Sequence, residues 1–544
     1  MKKIKHILLS VMILTSAILG SACNQEQLRK EDIPDYSKYD HQFDFFGYNA
    51  AHDGYYYVDD AKFYVGESFL TTEQYQMYKD AGMTIFYPQS ILKVDTKGGR
   101  EQGWEKLRTE IDKLVAIGMD KTVLYDEDLS WLGLNEPHRI VGDGREDEDL
   151  EADMTDGERT AKGLIGTDAD QFDTIEELDA RVEELLSLYA GYPGVHGVCL
   201  ADEPKNVWYK SYGDLYNSIK RVSEKNGWNL YISFNLNPLN VTKYVCEEFY
   251  PYVEGTDGVD LVTGKVNFDD AFVRYKQYIE NFLSSMNPDY IRYDDYPLRA
   301  SYLSPTYIPC LQYIAGVARD RNIDFHMVTQ TFEMSSNGQR SMRKLTEPGA
   351  KWLNNMLLGF GVNEISYFTY YTRTENRTDG ESFIEYNNSS FVNLYGQKTN
   401  IYDFMKEIMA NNQKFAPAVL QFDYKKSGVF TKLPANLPDD HLTYVENINA
   451  VTFDKVKNIS VNKECAMVNE LYDPENDRYM YMAMNIIDPD YKGSPAYQTI
   501  TLEFDKAYKY ALVYKDGESS LYKLSNSKLN VKGAPGDASF VIPF

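Results

Sequence analysis

An aspartate and a glutamate stand side by side directly after an apolar run in this chain of 544 residues. The run from Val198 to Ala201 has the continuous apolar character of a strand buried on both faces of a parallel sheet. When such strands alternate with helices in a barrel, acids at the carboxyl end of a strand point into the mouth of the active site. Asp202 and Glu203, followed by Pro204, are therefore the first candidates for acid–base chemistry. The alternative is that one of them caps the next helix.

The elements that must position these acids form a regular series. Apolar segments typical of strands alternate with amphipathic helical patterns, which predicts βαβ units and a parallel sheet. A set of eight such units predicts a (β/α)8 TIM barrel. The alternative is an open doubly wound sheet, but no glycine-rich phosphate loop follows the first strand. The predicted strands are Phe43 to Asn49, Met83 to Pro88, Thr122 to Tyr125, Gly197 to Ala201, Leu230 to Phe234, Tyr290 to Tyr293, Phe325 to Thr329 and Ile365 to Tyr370.

The pattern changes after Phe415, where short alternating stretches joined by turn residues replace the helical ones. Tyr479 to Ala483, Thr499 to Phe504 and Tyr510 to Tyr514 are such stretches, and they predict antiparallel strands. We therefore expect a barrel domain over residues 43–414 and a C-terminal antiparallel β domain, a β-sandwich, over residues 415–544.

The N-terminus has the form of a secretory signal. A basic start is followed by an apolar run from Ile7 to Leu19, which is too short to span a membrane, and then by small residues before Cys23. This segment resembles the signal of bacterial lipoproteins. The resemblance implies cleavage before Cys23, lipidation of that cysteine, for example by palmitate, and anchoring of the protein to the outer side of the cell membrane. Residues 24–42 are then a polar tether. The alternative is ordinary secretion after cleavage nearby.

Composition narrows the classes of partner. The formal net charge of −26 argues against nucleic acid as a partner and is compatible with a neutral or cationic ligand. Four cysteines follow Cys23 at wide intervals without a metal-ligand spacing, so we interpret them as buried thiols. No zinc motif and no nucleophile elbow is present, and we expect neither a metal nor a cofactor. The sequence indicates no oligomeric state.

An acidic insertion occupies residues 135–173, after the third predicted strand. Such a run is typical of a solvated loop, and a lid over the barrel is a second interpretation. A calcium loop is a third, although the Asp-x-Asp-x-Asp-Gly spacing is absent.

Three segments carry a resemblance to a known superfamily. Residues 189–204, ending in Asp202-Glu203-Pro204, resemble the fourth-strand segment of TIM-barrel glycoside hydrolases. Residues 287–297, with Asp294-Asp295-Tyr296-Pro297, resemble the sixth-strand segment of glycosidase-like barrels, and residues 529–543 resemble the last hairpin of the β domain that follows many of them. The resemblance implies a hydrolase of glycosidic bonds in an extracellular poly- or oligosaccharide, with Glu203 as its acid/base. It does not define a family.

The sequence indicates the second carboxylate less directly than it indicates Glu203. Glycoside hydrolysis needs a proton donor and a second carboxylate, and in the similar enzymes a glutamate at the end of strand seven is the nucleophile. Here Gln330 occupies that strand end, so the sequence slightly favours Glu333, three residues on, over Asp294 or Asp295. That choice predicts retention of configuration.

Polar residues at strand ends are candidate substrate ligands, because they offer the donors and acceptors that hydroxyl-rich ligands need. The candidates are Asp202, Asn235, Asp294, Asp295, Tyr296 and Gln330. The alternative function is a non-catalytic glycan-binding surface lipoprotein on a glycosidase-like barrel, an interpretation that Gln330 favours.

Overall fold

The computed structural model describes most of the chain in two units, residues up to Asp35 and Tyr36–Phe544. The first unit contains a single turn of 3-10 helix, Lys30–Asp32. The signal segment, Cys23 and all but one residue of the acidic insertion at 135–173 lie outside the described residues. The described residues are 28–59, 61–88, 92, 99–134, 172, 174–260, 263–379, 382–431, 443–445, 448, 451–463, 465–490 and 497–544.

Eight parallel strands form a closed barrel, as the sequence predicts. Each pairs with its neighbours in chain order, and the eighth pairs with the first. A bridge between Leu236 and Tyr293 joins the fifth strand to the sixth and closes the ring. We number these barrel strands one to eight: Asp44–Gly47, Ile85–Phe86, Thr122–Tyr125, Val195–Asp202, Tyr231–Asn235, Tyr290–Asp294, Asp324–Gln330 and Glu364–Phe368.

Helices surround the barrel and bury one face each against it. The first shows how the sequence sets its ends: the Thr71 hydroxyl accepts a hydrogen bond from the Gln74 amide, and Gly82 ends the helix at φ +108°. The helices are Thr72–Ala81, Gly99–Ala116, Glu127–Leu134, Ile175–Leu186, Tyr209–Asn226, Lys243–Glu248, Phe268–Met286, Tyr307–Arg321, Glu347–Gly359 and Asn400–Val419, with a 3-10 turn at Asn206–Trp208. None of the helices in the described part of the chain is long and apolar enough to cross a membrane.

Insertions after the first, seventh and eighth barrel strands form a further six-stranded sheet, which the sequence analysis did not predict. These three barrel strands are neighbours in the ring, so the loops that follow them emerge side by side and can pair. We call this the insert sheet. Its strands are Tyr55–Val58, Ala61–Tyr64, Glu333–Ser336, Gln339–Met342, Glu375–Asp379 and Ser382–Asn387.

The C-terminal region is an antiparallel β-sandwich. One sheet has six strands and the other three, and apolar side chains from both fill a common core that includes Val468, Leu502 and Val531. The strands are Asp423–Thr431, Val456–Val461, Cys465–Asp473, Arg478–Asn485, Gln498–Phe504, Tyr510–Lys515, Glu518–Lys523, Lys528–Gly533 and Ala538–Pro543, with a 3-10 turn at Thr443–Val445. The helix Asn400–Val419 runs across the predicted domain boundary between residues 414 and 415.

Candidate active site

The fourth barrel strand brings the two adjacent acids to the carboxyl end of the barrel. Asp202 is its last residue, and Asp202 Oδ1 accepts a hydrogen bond of 2.8 Å from Nδ2 of Asn235 on the fifth strand. Glu203 follows at φ +48°, in the left-handed region, and its backbone N–H donates to the Asn235 carbonyl at 2.7 Å. This turn breaks the alternation of the strand, so that both carboxyls contribute to one end of the barrel.

Glu203 is hydrogen-bonded to Asp294, the last residue of the sixth barrel strand. Burial raises the pKa of Glu203 well above its usual range, and the charges of Asp294 and Asp202 raise it further. The protonated Glu203 carboxyl donates and the Asp294 carboxylate accepts. These effects favour the protonated form of Glu203, which is the state that a general acid needs.

Asp294 is the buried member of this pair. Burial raises its pKa, and the charge of Asp202 adds to that effect. The hydroxyl of Tyr296 donates a hydrogen bond to Asp294, which favours the ionised carboxylate. Asp294 Oδ1 is buried and has no hydrogen-bond partner among the described residues.

Asp202 is the most accessible of the three carboxyls, because its side chain is exposed at the mouth. The surrounding protein still desolvates it and raises its pKa, while the hydrogen bond from Asn235 and the charge of Arg373 act in the opposite direction. Its accessibility and these two interactions make Asp202 the carboxyl of the cluster best suited to react in its ionised form.

An arginine buried inside the barrel lies beneath the cluster. Arg292 of the sixth strand forms an ion pair with Glu364 at the start of the eighth strand, and both side chains are almost fully buried. Its guanidinium also donates to Ser233 Oγ at 2.7 Å, to Tyr231 Oη at 2.7 Å and to Tyr48 Oη at 3.3 Å. The network fixes the Tyr48 hydroxyl at the base of the mouth.

Aromatic rings line the mouth above this network. Tyr48 lies 5.4 Å from Tyr87 and 6.3 Å from Phe368 between ring centroids. Phe368 in turn lies 5.6 Å from Tyr296 and 5.3 Å from Phe332. Such walls suit sugar rings, whose C–H faces are apolar.

Gln330, a predicted substrate ligand, is wholly occupied in holding loops together. Its side chain is buried, its Oε1 accepts from the Leu298 amide at 3.1 Å, and its Nε2 donates to the carbonyls of Leu298, Phe332 and Arg343 at 3.2–3.3 Å. All four of these bonds are to backbone groups, so the structure places the Gln330 amide among the loops and does not bring it to the carboxyl cluster. Gln330 joins the loops after the sixth and seventh barrel strands.

Glu333, the favoured second carboxylate, is not brought to Glu203. It begins a strand of the insert sheet, and its carboxylate pairs with Arg340 at 2.8 Å. In that sheet Met334 is opposite Tyr386, so Glu333, one residue earlier, points to the other face. Tyr386 is the residue that contacts the mouth, through Phe332 and Phe368. The carboxylates that act on Glu203 are instead Asp294 and Asp202.

Strand alternation directs the Asp295 side chain away from the cluster, although its charge still raises the pKa of Asp294. It follows Asp294, and its charge acts on Tyr293, Tyr307 and Cys310, which lie outside the barrel wall. Burial raises the pKa of Asp295 to about 7, although the charge of Arg299 lowers it. Of the predicted site residues, Asp202, Glu203, Asn235, Asp294 and Tyr296 come together in the mouth.

Comparison with known proteins places glycoside hydrolases among the similar structures. An Anoxybacillus α-amylase aligns at 11% identity and a TM-score of 0.45 over 93% of this chain and 98% of that one. A family 5 glycoside hydrolase from Bacteroides vulgatus aligns at 10% identity and 0.43 over 87% and 85%. A GH30 endoxylanase from Clostridium papyrosolvens aligns at 9% and 0.37 over 93% and 96%.

No protein-family model matches the chain, and no curated protein matches it.

The sequence analysis missed Arg292, Glu364 and Tyr386. Arg292 interrupts the buried strand Tyr290–Asp294, and Glu364 begins another buried strand. Opposite charges within two apolar strands could have predicted that these side chains pair. Tyr386 had no such signal, because its position depends on the pairing of distant insertions. In the described part of the chain, no group of three or more acidic, histidine or cysteine side chains is arranged to hold a metal ion.

Proposed function

We propose that this protein is a glycoside hydrolase acting on an extracellular poly- or oligosaccharide, with Glu203 as the general acid. The observation that carries the proposal is the carboxyl cluster. A protonated Glu203, hydrogen-bonded to Asp294, lies beside the exposed carboxyl of Asp202. A proton donor next to a second, ionised carboxylate is the equipment that cleavage of a glycosidic bond needs.

Asp202 takes the place of Glu333 as second carboxylate in this proposal. Glu203 gives its proton to the glycosidic oxygen as the bond from that oxygen to the anomeric carbon breaks, and Asp202 attacks the anomeric carbon. Glu203, now ionised beside Asp294, then takes a proton from the water that displaces Asp202. Two displacements retain the anomeric configuration.

Neighbouring residues support each role. The hydrogen bond from Asn235 Nδ2 orients Asp202. The hydroxyl of Tyr296 stabilises the charge of Asp294, which keeps the proton on Glu203 before reaction. The aromatic walls can pack against the sugar ring.

The proposal is tested with soluble protein that begins after Cys23, on a panel of polysaccharides and aryl glycosides. Glu203→Gln should lower kcat roughly 10²- to 10⁴-fold, the usual contribution of a general acid. Glu333→Gln is the matched control, because it neutralises an acid held by Arg340 on the far face of the insert sheet. NMR of the first product gives the anomer.

The outcomes distinguish the possible roles of Glu203, Asp202 and Glu333. Activity that is lost in Glu203→Gln and Asp202→Asn but kept in Glu333→Gln supports the proposal. Loss in Glu333→Gln alone would return the second carboxylate to that residue, and an inverted first product would contradict the covalent role of Asp202. Binding to a glycan without cleavage of any substrate would favour the glycan-binding lipoprotein.

The proposal extends to the location of the enzyme. Lipidation of Cys23 would anchor it on the outer side of the cell membrane, where the polysaccharide is. In cells, Cys23→Ala should move the protein from the membrane fraction to the medium. Retention of Cys23→Ala in the membrane fraction would contradict a lipid anchor at that residue.

A further inference from the structure

The insert sheet presents one of its faces to the mouth of the barrel. Tyr386 lies 5.8 Å from Phe332 and 6.5 Å from Phe368 between ring centroids. Arg373, which follows the eighth barrel strand, contacts Tyr386 Oη and Glu375 Oε2, both at 3.4 Å. Tyr386 and Glu375 therefore share a face of the sheet, and we call it the inner face.

The inner face continues outward into the hairpin of Tyr55–Val58 and Ala61–Tyr64. Glu375 is in register with Tyr57, so Tyr57 lies on the inner face. Tyr57 is opposite Lys62, and Tyr55 is opposite Tyr64, and side chains in register share a face. The inner face of the hairpin therefore carries Tyr55, Tyr57, Lys62 and Tyr64.

The rings on this part of the face remain accessible. Tyr64 is 66% exposed, and its ring centroid lies 5.6 Å from that of Tyr55. Tyr57 is half-buried, and the ammonium group of Lys62 lies 3.7 Å from the Tyr55 ring and 5.7 Å from the Tyr57 ring. Exposed rings grouped with a polar side chain are typical of a binding surface rather than of a core.

This face is continuous with the carboxyl cluster. Arg373, whose charge acts on Asp202, lies over the rings of Phe368 and Tyr386 at 5.8 and 5.2 Å. A path thus leads from Asp202 past Arg373 and Tyr386 to Tyr57 and then to Tyr64. A single sugar residue bound at Asp202 would not reach the far end of this path, because the path crosses four strands and neighbouring strands lie about 4.8 Å apart.

We infer that the inner face of the insert sheet binds a polysaccharide chain remote from the point of cleavage, with Tyr57 and Tyr64 stacking on its sugar rings. The inference rests on the proposed glycosidase function and narrows its substrate to a polymer. We assign a polysaccharide as the ligand because the inner face is continuous with the carboxyl cluster and because its aromatic rings suit the C–H faces of sugars.

Affinity electrophoresis tests the inference in gels that contain soluble xylan, mixed-linkage β-glucan, galactomannan, starch or polygalacturonate. The Glu203→Gln protein is used so that the polymer in the gel is not digested. Adding Tyr57→Ala and Tyr64→Ala should weaken binding to the retarding polymer about tenfold or more. Hydrolysis of a small aryl glycoside by the corresponding variant with Glu203 intact should remain unchanged.

Phe63→Ala is the matched control. Phe63 is 50% exposed on the same strand, but it is opposite Tyr56 and so lies on the other face of the sheet. This variant should be retarded like its parent, and circular dichroism melts of all variants should agree.

Each result bears on the inference separately from the proposed function. Equal retardation of the double variant and its parent overturns the inference. The inference is also overturned if Phe63→Ala loses as much retardation as the double variant. Cleavage of an aryl glycoside without retardation in any of the five gels also overturns it, yet leaves the hydrolase in place. Retardation lost in the double variant, with no substrate cleaved, supports the binding face and contradicts the hydrolase.

Discussion

Glu203 and Asp294 illustrate how an acid keeps its proton at neutral pH. Burial penalises the charged form of both. The charge of Asp294 raises the pKa of Glu203, whereas the hydrogen bond from Glu203 lowers the pKa of Asp294. Two interacting carboxyls titrate as a pair. In a plot of activity against pH, the decrease on the alkaline side (the alkaline limb) therefore reports the titration of the Glu203–Asp294 pair.

Replacing Asp294 by asparagine should move that alkaline limb to lower pH. The negative charge of Asp294 raises the pKa of Glu203, so its removal lowers that pKa, and the active protonated form is then lost at a lower pH. The measurement is the pH dependence of kcat/KM for the Asp294→Asn variant against wild type.

Glu333→Gln serves as the control for this titration, since the charges that act on Glu203 do not include Glu333 among the described residues. Its alkaline limb should coincide with that of wild type. An unmoved limb in Asp294→Asn would mean that Glu203 does not carry the titrating proton.

At the scale of elements, Gln330 stabilises the loops that complete the mouth. One buried amide satisfies four backbone groups in the loops after the sixth and seventh barrel strands. Those loops carry Tyr296 and Phe332, so their placement determines the aromatic wall.

Gln330→Ala should destabilise the protein by about 3 kcal/mol, because buried backbone groups lose their partners. Urea unfolding followed by tryptophan fluorescence measures the change. Gln277→Ala is the control: Gln277 lies on an exposed helix face and bonds only Asn281 among the described residues. Its effect should stay within about 0.5 kcal/mol. Equal effects of the two substitutions would contradict the role assigned to Gln330.

At the scale of the whole molecule, the barrel and the β-sandwich share an interface of buried polar contacts. Arg343 forms a two-pronged pair with Asp488 at 2.7 and 3.0 Å, and both side chains are less than a tenth exposed. Trp352 Nε1 donates to the Ile486 carbonyl at 3.1 Å, and Asn469 Nδ2 to the Gly359 carbonyl at 2.8 Å. Residues Tyr36–Phe544 accordingly form one compact unit.

Asp488→Asn should therefore lower the stability of barrel and sandwich together. The substitution removes the charge that Arg343 binds with two prongs and leaves it, among the described residues, only Asp490, 3.3 Å from its Nε, at a cost of about 2 kcal/mol. Calorimetry should show one transition, shifted to lower temperature. Asp505→Asn is the control, because its pair with Lys457 is exposed and contributes below about 1 kcal/mol. Two separate transitions in wild type would contradict this coupling.

The barrel was predictable because its strands are buried on both faces, and each therefore appears as a short apolar run between helices. The same reasoning correctly brought Asp202, Asn235, Asp294 and Tyr296 to one end, since residues at the ends of parallel strands meet there. It did not place Glu333 and Gln330, because the chain there leaves the barrel and enters a loop and a sheet that have their own alternation.

The sequence alone thus determined the eight strands, their order and the end of the barrel where the acids gather, because these follow from local apolar patterns and chain direction. Only the tertiary structure decided which carboxyls meet. The Glu203–Asp294 contact, the Arg292–Glu364 pair and the insert sheet join residues from 52 to 320 positions apart along the chain. Contacts at such separations depend on how strands pair and side chains alternate, which no local pattern records.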